Sequence, residues 1–222
     1  GTVSISADNR LGNAAGQLSL DGGTLRNTSS FSTSRDTTLN AGGGTFQTDA
    51  VALSGAVTPT TLTHNGAIGG AGGLSKTGSG TLVLAGTNTY AGGTVITGGT
   101  VQVSGDAGLG DSAGALSVSD GTLRNTASFS TGRSTTLGAG GGSFLTDGGT
   151  TLTHTGNIGG TGSLTKTGAG ILALTGNNTY VGGTSIKGGT VQVSGDGNLG
   201  DAAGALSFNG GTLRNTANFN TS

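Results

Sequence analysis

Cysteine, methionine, tryptophan and glutamate are all missing from this chain of 222 residues, which also holds a single proline. Without cysteine, no disulfide and no thiolate-based metal or redox site is possible. A chain without thiols suits secretion, because it has no cysteines to mispair. All ten acidic residues are aspartate, which favours turns and caps, whereas glutamate favours helices. The composition therefore argues against a helical protein.

Charge is scarce as well, since charged residues make up 9% of the chain and the formal net charge is −1. So little positive charge argues against nucleic-acid binding. The 50 glycines would suit a disordered chain, but such chains usually combine high net charge with no regular apolar pattern. No segment has the pattern of a signal peptide or a membrane span. The chain starts at Gly1 rather than methionine, so we expect it to be part of a longer protein.

An internal repeat organises the sequence. Residues 99–132 match residues 189–222 at 25 of 34 positions without a gap, and residues 1–34 repeat this segment again. The first repeat is lengthened by an insertion at 50–59, which holds the only proline. The repeat units predicted from these copies, all within one continuous fold, span 1–98, 99–188 and the partial third unit 189–222.

Within each unit, apolar residues alternate with polar ones, as at Leu82 and Leu84. A period of two is typical of strands with one buried face, and steps such as Asp120-Gly121 mark the turns between them. No stretch shows the i, i+3, i+4 spacing of a helix. A near-copy at an offset of 90 residues fits stacked turns better than two sandwich domains. We therefore predict an all-β solenoid, a parallel β-helix of about ten coils of ~20 residues.

Two segments resemble the passenger-associated transport repeat of Gram-negative autotransporters, namely Gly73–Gly105 and Ser163–Gly195. Each contains spaced glycines, two leucines, an Asn-Thr-Tyr triplet and a final Gly-Thr-Val-Gln-Val strand. The matching residues are Leu74, Lys76, Gly78, Gly80, Leu82, Leu84, Asn88, Thr89, Tyr90, Gly92, Thr94, Ile96 and Gly99–Val103 in the first segment, and Leu164, Lys166, Gly168, Gly170, Leu172, Leu174, Asn178, Thr179, Tyr180, Gly182, Thr184, Ile186 and Gly189–Val193 in the second.

The resemblance implies a right-handed parallel β-helix that is exported through a C-terminal outer-membrane barrel and is displayed at the cell surface or secreted. Passengers of this kind include adhesins, so we expect a stalk segment that mediates adhesion, self-association or biofilm formation. Its partner would be another copy of itself, or a polysaccharide or protein of the host or matrix. A purely structural spacer that presents a distal domain is the main alternative.

A β-helix polysaccharide lyase or hydrolase is the alternative with catalytic activity. It requires one non-repeating cluster of charged side chains in a groove, whereas most charged positions here recur between units. We therefore expect no enzyme activity and no cofactor.

The histidines and the aspartate pairs are the natural candidates for a catalytic or metal site. His64 and His154 both follow Thr-Leu-Thr and have no nearby partners with metal-ligand spacing, so we interpret them as structural. The pairs Asp106/Asp111 and Asp196/Asp201 could be a glycosidase acid pair or a calcium site. In the first copy asparagine replaces the second aspartate, which suits a turn and would break an acid pair. We therefore predict turn chemistry and no metal site.

The recurring basic residues give a second hypothesis, a surface contact ladder for acidic polysaccharide or for another β-helix. The alternative is an ordinary solvated face, which charged positions of this kind more often form. The candidate ladder consists of Arg26, Arg124, Arg214, Lys76 and Lys166.

The two ends of the sequence show no polar cap. Thr2–Ile5 and Thr212–Asn215 read as ordinary internal strands, and an unpaired strand is a template for pairing with another chain. We therefore expect the chain to associate end to end unless neighbouring sequence covers these strands.

Overall fold

The computed structural model describes residues 1–53 and 56–220, which form strands, turns and short 3-10 helices at Asp8–Leu11, Asp106–Leu109 and Asp196–Asn198. Among these residues no α-helix is present, and hence no helix long and apolar enough to cross a membrane. The chain divides into two compact units. The first contains Gly1–Val103 and Ala107–Gly114, and the second contains Ser104–Asp106 and Ala115–Ser222.

The first unit is built from short strands that follow the period-two pattern of the sequence. Their bounds are β1 Thr2–Ile5, β2 Leu18–Leu20, β3 Gly23–Asn27, β4 Phe31–Thr33, β5 Thr37–Leu39, β6 Gly44–Thr48, β7 Ala50–Leu53, β8 Ala56–Pro59, β9 Thr61–His64, β10 Ile68–Gly69, β11 Leu74–Thr77, β12 Thr81–Leu84, β13 Thr94–Ile96 and β14 Gly99–Val103. All of them except β7 and β8 form three parallel sheets in the orders β1-β3-β6-β11-β13, β2-β5-β10 and β4-β9-β12-β14. Each turn therefore adds one strand to each sheet, which is the arrangement of a β-solenoid.

The second unit repeats this arrangement. Its strands are β15 Leu116–Val118, β16 Gly121–Asn125, β17 Phe129–Thr131, β18 Thr135–Leu137, β19 Gly142–Thr146, β20 Thr151–His154, β21 Ile158–Gly160, β22 Leu164–Thr167, β23 Ile171–Leu174, β24 Thr184–Ile186, β25 Thr190–Val193, β26 Leu206–Phe208 and β27 Thr212–Asn215. The sheets have the orders β16-β19-β22-β24-β26, β15-β18-β21 and β17-β20-β23-β25-β27. Pairing is parallel throughout these strands.

The length of each turn can be read from the strand register. In the second unit Leu123, Phe144, Lys166, Ile186 and Phe208 pair in sequence, so successive turns take 21, 22, 20 and 22 residues. In the first unit the corresponding turns take 21, 30 and 20 residues. The predicted parallel β-helix is confirmed, with about nine turns instead of about ten.

The long turn contains an antiparallel hairpin, β7 with β8, in which Ala50 pairs with Pro59. This is the insertion predicted at 50–59, although its positions 54 and 55 lie outside the described residues. The backbone N–H of Thr60 donates to the Asp49 carbonyl at 2.8 Å, which closes the base of the hairpin. In the second unit Thr150 donates to Asp147 at 3.0 Å across two glycines, so both units keep the same closure. The boundaries predicted for the repeat units remain a prediction.

The core of each unit consists of inward side chains stacked from turn to turn. Leu62, Leu82 and Val101 lie in register in the first unit and are fully buried. Leu152 and Leu172 stack in the same way in the second. Burying a side chain of this size contributes about 1.5–3 kcal/mol, so such stacks hold neighbouring turns together without a helix or a disulfide.

One turn has a positive φ at a residue other than glycine. Asp120 has a φ of 57°, the one positive φ at a non-glycine position among residues 1–53 and 56–220. The equivalent positions in the other two copies are Gly22 and Gly210, with φ values of 71° and 93°. An L residue other than glycine is strained in this region, and asparagine and aspartate tolerate it best.

Candidate functional site

Rows of hydroxyl side chains follow the outer face of one sheet in each unit. The members of a row lie at matching positions of successive strands, about 4.8 Å apart. We call them the hydroxyl rows. The row of the second unit is Thr122, Ser143, Thr165, Ser185 and Ser207, and that of the first is Thr2, Thr24, Thr45 and Ser75, followed by Val95. Except for Thr2, Ser207 and Val95, which are exposed, these side chains are half-exposed, so they can reach a ligand without leaving the sheet.

A shallow groove accompanies each hydroxyl row. In the second unit it has a volume of about 290 Å³, and Asp120 and Lys187 line it together with the row. In the first unit the groove has about 280 Å³ and is lined by glycines, small side chains and Val95, with no charged residue. The two grooves therefore have a similar size and different charge.

Two arginines of the predicted ladder, Arg26 and Arg124, lie beside these rows and form local pairs. Arg26 donates from Nε to Asp49 at 2.6 Å, and Arg124 donates to Asp147 at 2.9 Å. Burial raises the pKa of Asp49, but the hydrogen bonds that it accepts from Arg26 and Gln47 together lower the pKa by more. The net shift in pKa is downward. The hydrogen bonds that Arg124 donates to Asp147 raise the pKa of Arg124.

Arg214 is the third arginine of the ladder. It is exposed and donates to the side-chain oxygen of Gln192, one turn before it in the same sheet. All three arginines therefore lie at the surface, each engaged with a neighbouring turn of its own unit.

The two lysines of the ladder are not at the surface, and that part of the hypothesis is wrong. Lys76 and Lys166 are 0% exposed and point inward, because they share the register of the buried Phe46 and Phe144. Each Nζ donates to three backbone carbonyls; for Lys76 these belong to Thr77 at 2.6 Å, Gly78 at 2.8 Å and Gly98 at 3.2 Å.

Lys166 repeats these contacts with Thr167, Gly168 and Gly188 at the same distances. Burial lowers the pKa of both lysines to about 8. Gly99 must be glycine here, since its φ is 61° and a Cβ would lie 2.8 Å from Nζ of Lys76. The lysines thus satisfy turn carbonyls and join successive turns, a role that polar spacing in the sequence did not reveal.

Two further arginines, which recur at equivalent positions of the two units, are buried as well. Arg35 is 3% exposed and Arg133 is 2% exposed. Nε of Arg35 contacts Asp8 at 2.9 Å, and Nε of Arg133 contacts Asp106 at 2.8 Å. Each arginine reaches back by 27 residues to hold the loop of the preceding turn.

Both histidines make equivalent hydrogen bonds inside their units. Nε2 of His64 bonds the hydroxyl of Thr37 at 2.8 Å, and Nδ1 lies 3.2 Å from the carbonyl of Gly66. His154 makes the equivalent contacts with Thr135 at 2.8 Å and Gly156 at 3.1 Å. Burial lowers the pKa of both, that of His154 to about 4, so both rings are neutral at pH 7.

The aspartate loops use their side chains in turns. Oδ1 of Asp111 and of Asp201 accepts the backbone N–H two residues later, at 2.9 Å in each case. Asn13 does the same for Ala15 at 2.9 Å, so asparagine replaces aspartate without loss. Within the part of the chain that the structure describes, no group of three or more histidine, cysteine, aspartate or glutamate side chains could hold a metal ion.

The Asn-Thr-Tyr triplet supplies links between turns. Oδ1 of Asn88 accepts the N–H of Ile68 at 2.8 Å, and Nδ2 donates to the carbonyl of Gly108 at 2.7 Å. The amide thus replaces a peptide group between the turn before and the turn after. The buried Tyr90 hydroxyl lies 2.7 Å from the Thr94 hydroxyl. These contacts explain why this triplet occurs in a solenoid repeat.

This geometry defines the class of protein as a solenoid built from repeats. Comparisons with known proteins show which repeat proteins it resembles. Residues 74–103 and 164–193 match the family described as Passenger-associated-transport-repeat. The chain is also 57% identical over 58 residues to the adhesin BmaC autotransporter of Brucella suis biovar 1 (strain 1330). That match covers 26% of this chain and 2% of the adhesin. The two findings indicate an autotransporter passenger segment at the cell surface or secreted from it.

No solved structure matches the chain. The repeat family indicates a non-catalytic role.

Proposed function

We propose that this chain is a contact-making stalk segment of a surface adhesin, and that its hydroxyl rows and the adjoining arginines form the contact surface. The observation that carries the proposal is the outward row of hydroxyls, in a chain that is 57% identical over 58 residues to an adhesin. Arg26 and Arg124 lie on the same strands as members of these rows, and we include Arg214, on another sheet of the second unit, as a further contact residue. The partner is a second copy or a polysaccharide or protein of a host or matrix, and self-association would support biofilm formation.

The rows suit a repetitive partner for a geometric reason. Hydroxyl groups donate and accept hydrogen bonds, and in the second unit they recur at each strand about 4.8 Å apart. A chain of sugars or another solenoid offers polar groups at a comparable repeat. Many weak contacts then add up through multivalency, without the deep pocket that a small ligand needs.

The proposal includes a non-catalytic role. Most of the charged side chains described above, apart from Asp120 and Lys187, are engaged in recurring local contacts: arginine with aspartate, lysine with carbonyls, aspartate with turn N–H groups. A hydrolase or lyase needs one unique constellation, and these arrangements occur in both units.

The test replaces the hydroxyl row of the second unit and measures adhesion of cells that display the protein. The variant carries Thr122→Ala, Ser143→Ala, Thr165→Ala and Ser185→Ala. The matched control carries Ser117→Ala and Thr136→Ala, an outward pair on another sheet of the same unit. We expect a several-fold loss of adhesion or of cell aggregation in the row variant and no change in the control.

A structural spacer is the second candidate, favoured by the close repetition of the two units. Deletion of one unit, compensated by an unrelated spacer of equal display length, separates the two functions. Unchanged adhesion in this deletion and in the row variant would leave the spacer role alone.

A further inference from the structure

The groove beside the hydroxyl row of the second unit carries two charges that the groove of the first unit lacks. Asp120 and Lys187 line it, whereas the corresponding positions of the first unit are Gly22 and Thr97. The third copy also has a glycine, Gly210, where the second has aspartate. Both charges are therefore departures of the second unit from the repeat, and they occur in the same groove.

Asp120 keeps its place in the groove at a cost to the backbone. Its φ of 57° lies in a region where residues other than glycine are strained, and both other copies avoid that strain with glycine. Gly140 leaves the space for its side chain, since a Cβ at that position would overlap with the Asp120 carboxylate. Strained conformations of this kind concentrate at functional sites, so the strain points to a role for this carboxylate.

The Asp120 carboxylate is exposed and only weakly engaged by the protein. In the first unit the aspartate of this turn is Asp21, one place earlier, and its carboxylate accepts the backbone N–H of Gly42 at 2.7 Å. For Asp120, the hydrogen bond found among residues 1–53 and 56–220 comes from the Ser119 hydroxyl at 3.5 Å, the outer limit for such a bond. Its oxygens can therefore accept hydrogen bonds from a cationic group in the groove.

The two charges lie at opposite ends of the groove. Asp120 precedes Thr122 by two residues, and the exposed Lys187 follows Ser185 by two residues, three strands further along the same sheet. At the usual spacings of strands and of residues within a strand, their backbone positions are about 20 Å apart. The hydroxyl row lies between them, so an extended polar chain can contact both charges and the row together.

We propose that this groove binds a polysaccharide that carries both amino and carboxylate groups, with an amino group at Asp120, a carboxylate at Lys187 and sugar hydroxyls on the row between them. The inference rests on the proposed function, because it identifies the partner that the hydroxyl row of the second unit contacts. A neutral sugar chain would leave both charges unpaired, and a chain of one sign would meet one like charge. A chain with both groups forms a charge-assisted hydrogen bond at each end.

Two substitutions remove the charges and restore the residues of the first unit, Asp120→Gly and Lys187→Thr. The backbone already has the same hydrogen bonds in both units. Asp120 and Gly22 donate their N–H at 2.8 and 2.7 Å to the equivalent glycine carbonyl, and Lys187 and Thr97 donate theirs at 2.9 Å to the carbonyl of the buried lysine one turn earlier. We therefore expect both variants to fold as the unchanged protein does.

The experiment titrates the isotope-labelled protein with three oligosaccharides of equal length and follows its backbone amides by NMR. De-N-acetylated hyaluronan carries amino and carboxylate groups, hyaluronan carries only the carboxylates, and chitosan carries only the amino groups. We expect saturable shifts at Ser143 and Thr165 with the first, and at least fivefold weaker binding of the other two. The row at Thr24 and Thr45 is the internal control, because its neutral groove should show no such preference.

Each variant should remove one part of the preference. Asp120→Gly should no longer bind de-N-acetylated hyaluronan more tightly than hyaluronan, because the carboxylate that pairs with the amino group is gone. Lys187→Thr should no longer bind it more tightly than chitosan. The preference of the unchanged protein should also weaken at higher salt, since exposed charges are screened.

Three results would overturn the proposal: no saturable shift in this groove with de-N-acetylated hyaluronan, equal affinity for the three oligosaccharides, or an unchanged preference in both variants. Shifts in the groove that depend on protein concentration without any sugar would overturn it too, because a second copy would then be the occupant.

The adhesin proposal is tested separately, by the adhesion of the row variant. If that variant loses adhesion while the groove binds none of the oligosaccharides, only the polysaccharide assignment fails. If the groove binds as expected while the row variant adheres normally, only the adhesin proposal fails.

Discussion

Buried lysine is the residue-scale feature that sets this solenoid apart from an ordinary apolar core. A lysine without a carboxylate partner is costly to bury. In both copies three backbone carbonyls compensate, because Nζ donates a hydrogen bond to each of them. Those carbonyls favour the ammonium form, whereas burial disfavours it and lowers the pKa to about 8. The balance of these two effects is measurable through the pH dependence of folding.

We expect stability to rise with pH between about pH 8 and 9.5. The pKa of Lys76 and Lys166 is lower in the folded protein than the ordinary 10.5, so the unfolded chain binds more protons in this window. The full pKa shift corresponds to about 3 kcal/mol in the free energy of unfolding per lysine. The carbonyl contacts reduce this effect, so we expect the free energy of unfolding to rise by roughly 1 kcal/mol per lysine by pH 9.5. Urea unfolding across the series measures it.

The control for this prediction is Lys187→Met, since Lys187 is exposed. The double variant Lys76→Met and Lys166→Met should lose the rise, and Lys187→Met should keep it. The series stops at about pH 9.5, because burial raises the pKa of Tyr180 to about 12 and has the opposite effect at higher pH. A flat profile in the unchanged protein would mean that the ammonium is fully stabilised.

Two buried threonines in the first unit allow a matched comparison of hydrogen bonding. The Thr48 hydroxyl is buried without a hydrogen-bond partner among the described residues, whereas that of Thr37 bonds His64. Thr48→Val should change the free energy of unfolding by less than about 0.5 kcal/mol or increase it, because no bond is lost. Thr37→Val should cost about 1–3 kcal/mol, since it leaves the buried ring unpaired.

Chemical denaturation of both variants measures the difference. The second unit provides an independent repetition, with Thr146 and Thr135 in the same roles. Equal losses for the two substitutions would show that the Thr48 hydroxyl has a partner in solution, such as an ordered water.

At the scale of the element, the strands were predictable and the inward polar side chains were not. Because successive side chains of a strand point to opposite faces, Leu82 and Leu84 lie on the same face. Both are buried in the structure. The same alternation puts Lys76 on the inner face, but its charge argued for the surface, because the sequence does not show the carbonyls that the turns of Gly78 and Gly98 bring to it. Arg35 was missed for the same reason, since its partners lie one turn earlier.

The hairpin β7–β8 should be dispensable for folding. Replacing residues 50–59 with two glycines reproduces the second unit, where Thr150 closes directly on Asp147. Because Thr60 makes the same closure to Asp49, we expect the melting temperature to change by no more than about 4 °C, the equivalent of roughly 1 kcal/mol.

Thermal unfolding followed by circular dichroism tests this prediction. The control is Thr60→Val, which removes the hydroxyl that bonds both Asn27 and the Asp49 carbonyl, and which should destabilise more than the deletion. A large loss on deleting the hairpin would show that it stabilises the turns beside it.

At the scale of the whole molecule, each unit is a series of turns joined to their neighbours. The register positions fix the turn lengths at 20 to 22 residues in the second unit, and the hairpin extends one turn of the first to 30. Stability in such arrays is approximately a sum of nearest-neighbour terms, which predicts partly unfolded states with whole turns detached. The repeat in the sequence made this organisation predictable, whereas the contact of Arg35 with Asp8 one turn earlier required coordinates.

The uneven turn lengths have a mechanical consequence. When the two ends of the chain are pulled apart, turns peel away one at a time, and each releases its contour length at about 3.5 Å per residue. A turn of 20 to 22 residues then gives an extension step of roughly 70–77 Å. The 30-residue turn, between Phe46 and Lys76, gives one longer step of about 105 Å.

Single-molecule force spectroscopy of the chain should record a series of nearly equal extension steps and one longer step. The hairpin deletion should remove only the longer step. A single all-or-none rupture of each unit would contradict it. A segment that yields turn by turn dissipates work while it lengthens. An attached cell under flow would then be held by a tether that gives way gradually under load.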